Sequence, residues 1–438
     1  MRKHTVAEVF GIGVGNATPA YVDRGQLDAR FNSSLNANRH VSVHGGSKQG
    51  KTWLRKRALA PDKSIVVQCT ITATSTSILE EALAQIGVTA TLKKTKSGSL
   101  AGEVQLSANM AARATIPGAG VSGKTEATAR GGMTADSEFE EYFLAQTVAN
   151  LHWVSWAINR SGKRFVIEDF HYLPTEEQRV FSYWVKALGE YGCHVLVIGV
   201  WAQSHLLSYF NGDLEGRVDD FHLKWSDTEL REVLDQGASA LSISFSNEIT
   251  EKLVRDSYGN VGLLHRLAYQ ICVLAGVDDQ PAGSTVESLE VLAMARREVA
   301  SQMSGRFETF ASNFVRGMRR MPEGLVVYLH LLRAFTETDD SVLLDRGVDS
   351  SDLLRAIQSE GAQLRGSDLT QALERIDQLQ VKIEVSPPVL TYHRPGKRVQ
   401  LVDRSFLFFR KYGEHSWPWN EEEQITNDLA DSNPLDIN

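Results

Sequence analysis

The stretch that decides the fold is "HVSVHGGSKQGKTWLRKRALA", residues 40–60. Its first part, "HVSVHG", alternates apolar and polar residues and ends in Gly45, as a short buried strand would. "GGSKQGKT", residues 45–52, satisfies the phosphate-loop pattern G-x-x-x-x-G-K-[ST]. "KTWLRKRALA" then supplies good helix formers, with Trp53, Leu54, Ala58 and Leu59 available for packing. A strand, a Gly-rich loop and a helix in that order are the context the pattern needs. Backbone N–H groups wrap an anionic group, and the helix N-terminus points its partial positive charge at it. The expected nucleotide-binding set is therefore Gly45, Gly46, Ser47, Lys48, Gln49, Gly50, Lys51, Thr52 and Trp53. Lys51 would reach the β and γ phosphates, and the Thr52 hydroxyl would go to Mg²⁺.

A second match, "GAGVSGKT" at residues 118–125, lacks this context. "ATIPGAG" puts Pro117 where a buried strand would donate hydrogen bonds. "TEATARGGMTADS" after Lys124 has almost no apolar residue to dock a helix on a sheet. The second copy is read as a decoy.

A phosphate loop needs an acidic strand beside it. "KRFVIEDFHYL", residues 163–173, is an apolar run ending in Glu168-Asp169. By position Glu168 would hold the Mg²⁺ shell, and Asp169 would polarise the attacking water.

On these motifs residues 20–272 resemble AAA+-type P-loop ATPases, in the style of the signal-transducing STAND and origin-recognition types. "YVDRGQLDARFNSSL" (21–35) resembles the segment these families lay against the adenine, which implies nucleotide contacts for Tyr21 and Arg24. "HVLVIGVWAQ" (194–203) resembles the strand carrying the γ-phosphate sensor, and "YGNVGLLHRLA" (258–268) the start of a lid helix. "NGDLEGRVDDFHLKWSDTELREVL" (211–234) resembles the stretch holding an arginine that completes a neighbouring subunit's site, here Arg217. The departures are specific. Glu precedes Asp, Trp201 and Gln203 stand near the usual sensor Asn, and Gly262 stands where many relatives carry arginine, with Arg266 one turn on. These changes favour a nucleotide-operated switch over a fast motor.

The rest of the chain sets bounds. It has 438 residues, 42% hydrophobic and 23% charged, enough for two or three domains. No apolar stretch approaches the roughly 20 residues of a membrane span, and the N-terminus makes a poor signal peptide. Cys69, Cys193 and Cys272 are widely spaced, against zinc or disulfide frameworks, so a cytoplasmic protein is expected. The net charge of −8 excludes a generic nucleic-acid coat. Residues 88–135 are rich in Gly, Ala, Ser and Thr and read as a surface excursion or a β-hairpin, with Lys93, Lys94 and Lys96 as a small basic cluster.

The expected architecture is an α/β P-loop NTPase core (1–225), a parallel sheet with helices on both faces. A helical lid and connector (226–320), a winged-helix-like α+β domain (321–413) and an acidic tail (414–438) follow. In the third domain "EGLVVYLHLLRAF", "SSDLLRAIQSE" and "GSDLTQALERIDQLQ" read as helices, and "VKIEV" and "RVQLVD" as strands. Its third helix carries Asp368, Glu374 and Asp377 against Arg375, so DNA contact would fall to the wing cations Arg394, Lys397 and Arg398. The reading is an Mg-ATP-dependent switch or slow ATPase, a homo-oligomer with a possible protein partner; the alternative is a DNA-bound initiator or loader.

Overall fold

The computed structural model describes residues 4–12, 18–94, 100–106, 148–201, 204–316, 327–385 and 387–421. The second G-x-x-x-x-G-K-T copy, Lys96, Gln203 and the tail beyond 421 lie outside the described residues. Strands β1 (His40–His44), β2 (Ser64–Gln68), β5 (Arg164–Glu168), β6 (Val195–Ile198) and β7 (Val218–His222) form one sheet; β3 (Val88–Lys94) and β4 (Leu100–Leu106) form a separate antiparallel hairpin. The sheet order is β2-β5-β6-β1-β7, and every pairing in it is parallel. The acidic strand β5 is thus separated from the phosphate-loop strand β1 by β6.

Alternate residues of these strands feed two cores, one on each face. Val41, Val43, Val166, Leu196 and Ile198 pack with Phe31 and Leu54 of the helices Gln26–Asn36 and Lys51–Ala58. On the other face Val67, Phe165, Ile167 and Val197 meet Leu79, Trp153 and Phe181 from the helices Ser75–Gln85, Leu151–Arg160 and Thr175–Glu190. Each large side chain buried this way contributes about 1.5–3 kcal/mol. The sheet is held rigid from both sides, and its C-terminal edge is a fixed platform.

Four helices follow, Asp227–Ala240, Asn247–Asp256, Val261–Leu274 and the long Leu289–Arg316, with a short parallel pair β8 (Ile243–Phe245) and β9 (Ser284–Val286). Ser246 caps the second of them through the Ile249 N–H. The N-terminal segment joins this body. Thr5 and Glu8 form a capping box on the helix Val6–Phe10, which buries Val6, Val9 and Phe10. Glu8, which interrupts the apolar run in the sequence, is the closing residue of that box, at the third helical position.

The C-terminal region runs through the helices Val327–Glu337 and Asp340–Asp345, β10 (Val348–Asp349), the helices Ser350–Ser359, Gly366–Glu374 and Ile376–Lys382, then β11 (Leu390–His393), β12 (Arg398–Leu401) and the helix Ser405–Tyr412. Its antiparallel sheet has the order β10-β12-β11. "VKIEV" is not a strand. Val381 and Lys382 finish a helix, Glu384 takes a left-handed φ of 57°, and the strand forms only after Pro387-Pro388. The chain also stays packed into the stretch read as tail: Trp417 stacks on Trp419 at 5.1 Å and meets Phe406 and Phe409. Among the described residues no helix is long and apolar enough to cross a membrane.

Candidate nucleotide site

β1 delivers the chain to the loop at the sheet's C-terminal edge. Gly45 turns at φ 131°, where a Cβ would come within 2.6 Å of the Leu223 carbonyl oxygen. Gly50 takes φ 82° to start the helix at Lys51. Both positions need glycine. Lys51 is 8% exposed, and its ammonium donates to the carbonyls of Gly46 (2.6 Å) and Gly45 (3.3 Å). Burial draws its pKa down to about 8, against the opposing pull of Asp169. A cation held this deep among neutral carbonyls is stabilised by any anion that enters.

A cavity of about 340 Å³ opens over the loop. Ser47, Lys48, Gln49, Gly50, Lys51, Thr52, Trp53, Tyr21, Arg24 and Asp169 all border it. Gly45 and Gly46 do not border it; their carbonyls hold the Lys51 ammonium. Arg24 lies over the Trp225 ring at 4.4 Å, and its buried Nε and one terminal nitrogen have no partner. Tyr21 donates its hydroxyl hydrogen to Asp28 at 2.6 Å. Trp225, Val261 and His265, which the sequence reading did not single out, complete the wall. Burial lowers the His265 pKa to about 4, so that ring is neutral.

The two carboxylates separate. Asp169, at the end of β5 with φ 57°, borders the cavity, and burial followed by Glu168 raises its pKa. Glu168 is 3% exposed and already engaged: Arg55 Nε donates at 3.1 Å and Gln68 Nε2 at 2.7 Å. Arg55 follows Lys51 by one helical turn, so this ion pair ties the loop's helix to the acidic strand. Trp201 bridges to Gly45 at the end of β6.

The turn before the helix Val261–Leu274 and the C-terminal region both touch the loop. Asn260 Nδ2 donates to the Ser47 carbonyl at 3.2 Å, the Gly262 N–H to the Lys48 carbonyl at 3.0 Å, and Gln49 Nε2 to the Gly259 carbonyl at 3.1 Å. A Cβ on Gly262 would stand 2.6 Å from that of Lys48, so the close approach leaves no room for the arginine that the resemblance places there. Arg266 faces Gln302, with Nη2 donating to Oε1 at 3.1 Å. From the other side the Val402 carbonyl accepts the Ser47 N–H at 3.4 Å.

Arg217 is elsewhere. It precedes β7, whose Val218 pairs with His40 at the start of β1, so it lies at the sheet's opposite edge. Its guanidinium is paired with Glu190 at 2.5 Å and is half-exposed. It cannot serve this chain's own loop.

No protein-family model matches the sequence, and no curated protein sequence is significantly similar to it. Among solved structures, a Walker-type ATPase of Pyrococcus abyssi superposes with a TM-score of 0.53 at 12% identity, over 92% of this chain and 99% of that one. The chain has the P-loop ATPase fold. The RuvB Holliday junction branch migration motor of Thermotoga maritima overlaps less well, with a TM-score of 0.37 at 12% identity over 91% of this chain and 96% of that one. Within that fold the loop and the buried lysine lie at the C-terminal edge of the parallel sheet, at the start of a helix.

Proposed function

We propose that this chain binds Mg-ATP over the Gly45–Thr52 loop and works as a conformational switch that hydrolyses ATP slowly. The observation that carries the reading is the double contact on the loop, by the lid turn through Asn260 and Gly262 and by the C-terminal region through Val402. A phosphate bound there meets groups whose hydrogen bonds already hold both bodies, so occupancy biases their arrangement. The unpartnered donors of Arg24 and the buried Lys51 fit a polyanionic ligand.

In this reading Lys51 holds the phosphates, Thr52 and Glu168 the magnesium ion, and Asp169 orients and deprotonates the attacking water. The metal, when bound, neutralises charge on the phosphates. To serve it, Glu168 would have to release part of its hold on Arg55 and Gln68. That exchange, together with a short base, makes turnover slow. Arg217, paired with Glu190 on an outer edge, is proposed to act on the site of a second copy in an oligomer.

The C-terminal region, in this reading a winged helix, makes a protein contact. The alternative, a DNA-bound loader, draws less support from its cations. Arg398 sits 3.7 Å from Asp349, and Arg394 donates to the Glu374 carbonyl at 3.4 Å, leaving Lys397 in an exposed turn. ATPase rate and oligomeric state, measured together with and without duplex DNA, test the reading. Tight ATP binding with a low rate, a change of mass or shape with Mg-ATP and no response to DNA is expected. Strong stimulation by DNA would transfer the function to the loader.

A further inference from the structure

A second cavity, about 780 Å³, lies between the sheet's C-terminal edge and the C-terminal domain. Its rim is acidic: Glu176, Glu374, Asp377 and Glu384 face two guanidinium groups, Arg179 and Arg394. Its walls expose large apolar surface, with Ile71 at 49%, Tyr209 at 54% and Val381 at 39%. Two donors at its back have no partner. The Val200 N–H donates to His171 Nδ1 at 3.2 Å, so in the neutral ring Nε2 carries the hydrogen, and that buried Nε2 is unmatched. The indole nitrogen of Trp201, a residue 8% exposed, is unmatched too, and so is one buried acceptor of the lining, Gln400 Oε1, which a peptide N–H would serve.

A buried N–H without an acceptor disfavours the folded state, and a ligand carbonyl would relieve it. The cleft therefore calls for acceptors at its back, cations at its rim and apolar bulk between. Simple amines offer only donors, and nucleic acid brings negative charge to a negative rim. An extended peptide with basic and apolar side chains supplies all three at once, its own carbonyls serving as the acceptors.

We propose that this cleft is the docking site for a basic, apolar peptide segment of a partner protein. His171 also borders the nucleotide cavity, so the peptide's affinity should differ between ATP-saturated and nucleotide-free protein. That coupling, unlike the site, rests on the nucleotide reading above.

The test is fluorescence anisotropy on the full chain with a labelled alternating Arg-Leu peptide. A Glu-Leu counterpart and a short duplex DNA are the comparison probes, and free arginine is the competitor. The Arg-Leu peptide should bind in the micromolar range, and the Glu374→Lys/Glu384→Lys double variant should weaken it about tenfold or more with ATP affinity unchanged. No binding at millimolar peptide, equal binding of the acidic peptide, preference for DNA, displacement by arginine at equal concentration, or indifference to the double variant would each overturn the proposal. Peptide binding by a protein that fails to bind ATP would refute the nucleotide reading and leave the site standing.

Discussion

The two edges of the parallel sheet carry similar residue types to opposite ends. At the N-terminal edge two arginines are matched: Arg39 with Asp219 at 2.8 Å, Arg217 with Glu190 at 2.5 Å. The terminal nitrogens of Arg164 donate to the carbonyls of Leu35 and Arg39, while its buried Nε has no partner. At the C-terminal edge Lys51 is buried on neutral carbonyls, Arg24 keeps two unmatched donors, and Lys48 and Asp169 both take φ 57°. At the N-terminal edge such cost falls on Asn38, at φ 51°, and on the unmatched buried Nε of Arg164; at the C-terminal edge it gathers around one cavity. Left-handed backbone on non-glycine residues and unsatisfied buried donors each disfavour the folded state, and persist where a ligand would relieve them. The mostly matched edge reads as structure, and the edge whose unmatched groups border a cavity as the candidate site.

The largest break in that comparison is Lys51→Ala. It should lower ATP affinity by two orders of magnitude or more, about 3 kcal/mol or above, because the ammonium is the main charge on the β and γ phosphates. Lys124→Ala should stay within about threefold of wild type, since a G-x-x-x-x-G-K-T match without strand and helix is only surface sequence. Nucleotide titration on both variants decides it; equal losses would mean the structural context of the loop does not select the site.

Next come the two carboxylates. Asp169→Asn should stop hydrolysis with ATP still bound, in single-turnover assays across a magnesium titration. Glu168→Gln should weaken magnesium-dependent binding. It should also destabilise the fold by about 3–5 kcal/mol, because it leaves the buried Arg55 guanidinium without its charge partner. A variant that traps ATP with an unchanged melting temperature would exchange the roles given to the two residues.

Much of the site was legible because local pattern sufficed. The alternation through Val41 and Val43, the glycines at 45 and 50 and the helix formers after Lys51 each act over a few residues. The acidic strand was legible for the same reason. What the sequence withheld was contact across long separations. Nothing around Val402 says that its carbonyl meets Ser47, or around Gln68 that it shares Glu168 with Arg55. "VKIEV" misled because period-two alternation over five residues fits the end of a helix as well as a strand. The cap at Glu8 is legible in principle, through the Thr-x-x-Glu spacing.

Arg217 sharpens the comparison, since it is the one matched-edge residue proposed to leave its partner. If it serves a neighbouring copy, turnover should rise more steeply than linearly with protein concentration. Arg217→Ala should then lower the rate at high concentration, by up to about 10³-fold, with little change in ATP affinity. Mixing Arg217→Ala with Lys51→Ala chains should restore part of the activity, because each keeps what the other lacks. A linear rate with no rescue returns Arg217 to a surface ion pair, worth about 0–1 kcal/mol.

The smallest expected effect tests the claim that the matched edge is purely structural. His40 begins β1, is 3% exposed, and accepts the Val195 N–H on Nδ1 at 3.0 Å. Burial, with His194 and Arg164 adding to it, pulls its pKa from 6.5 to about 3. Between those values the unfolded chain takes up a proton that the folded chain refuses. Stability is therefore intact above the unfolded value and falls as the pH drops below it, by about 1.4 kcal/mol per unit. Urea midpoints at pH 7.5, 6.5 and 5.5 should show this slope added to whatever other groups contribute. His40→Gln removes the titrating group, so the wild-type slope below about pH 6.5 should exceed the variant's by close to one proton. ATP affinity should follow the same pH course in both proteins, because His40 lies at the far end of β1 from the loop. Parallel stability slopes would show that the ring is not held neutral. A difference in ATP affinity would show that the two edges are coupled through β1 rather than divided by it.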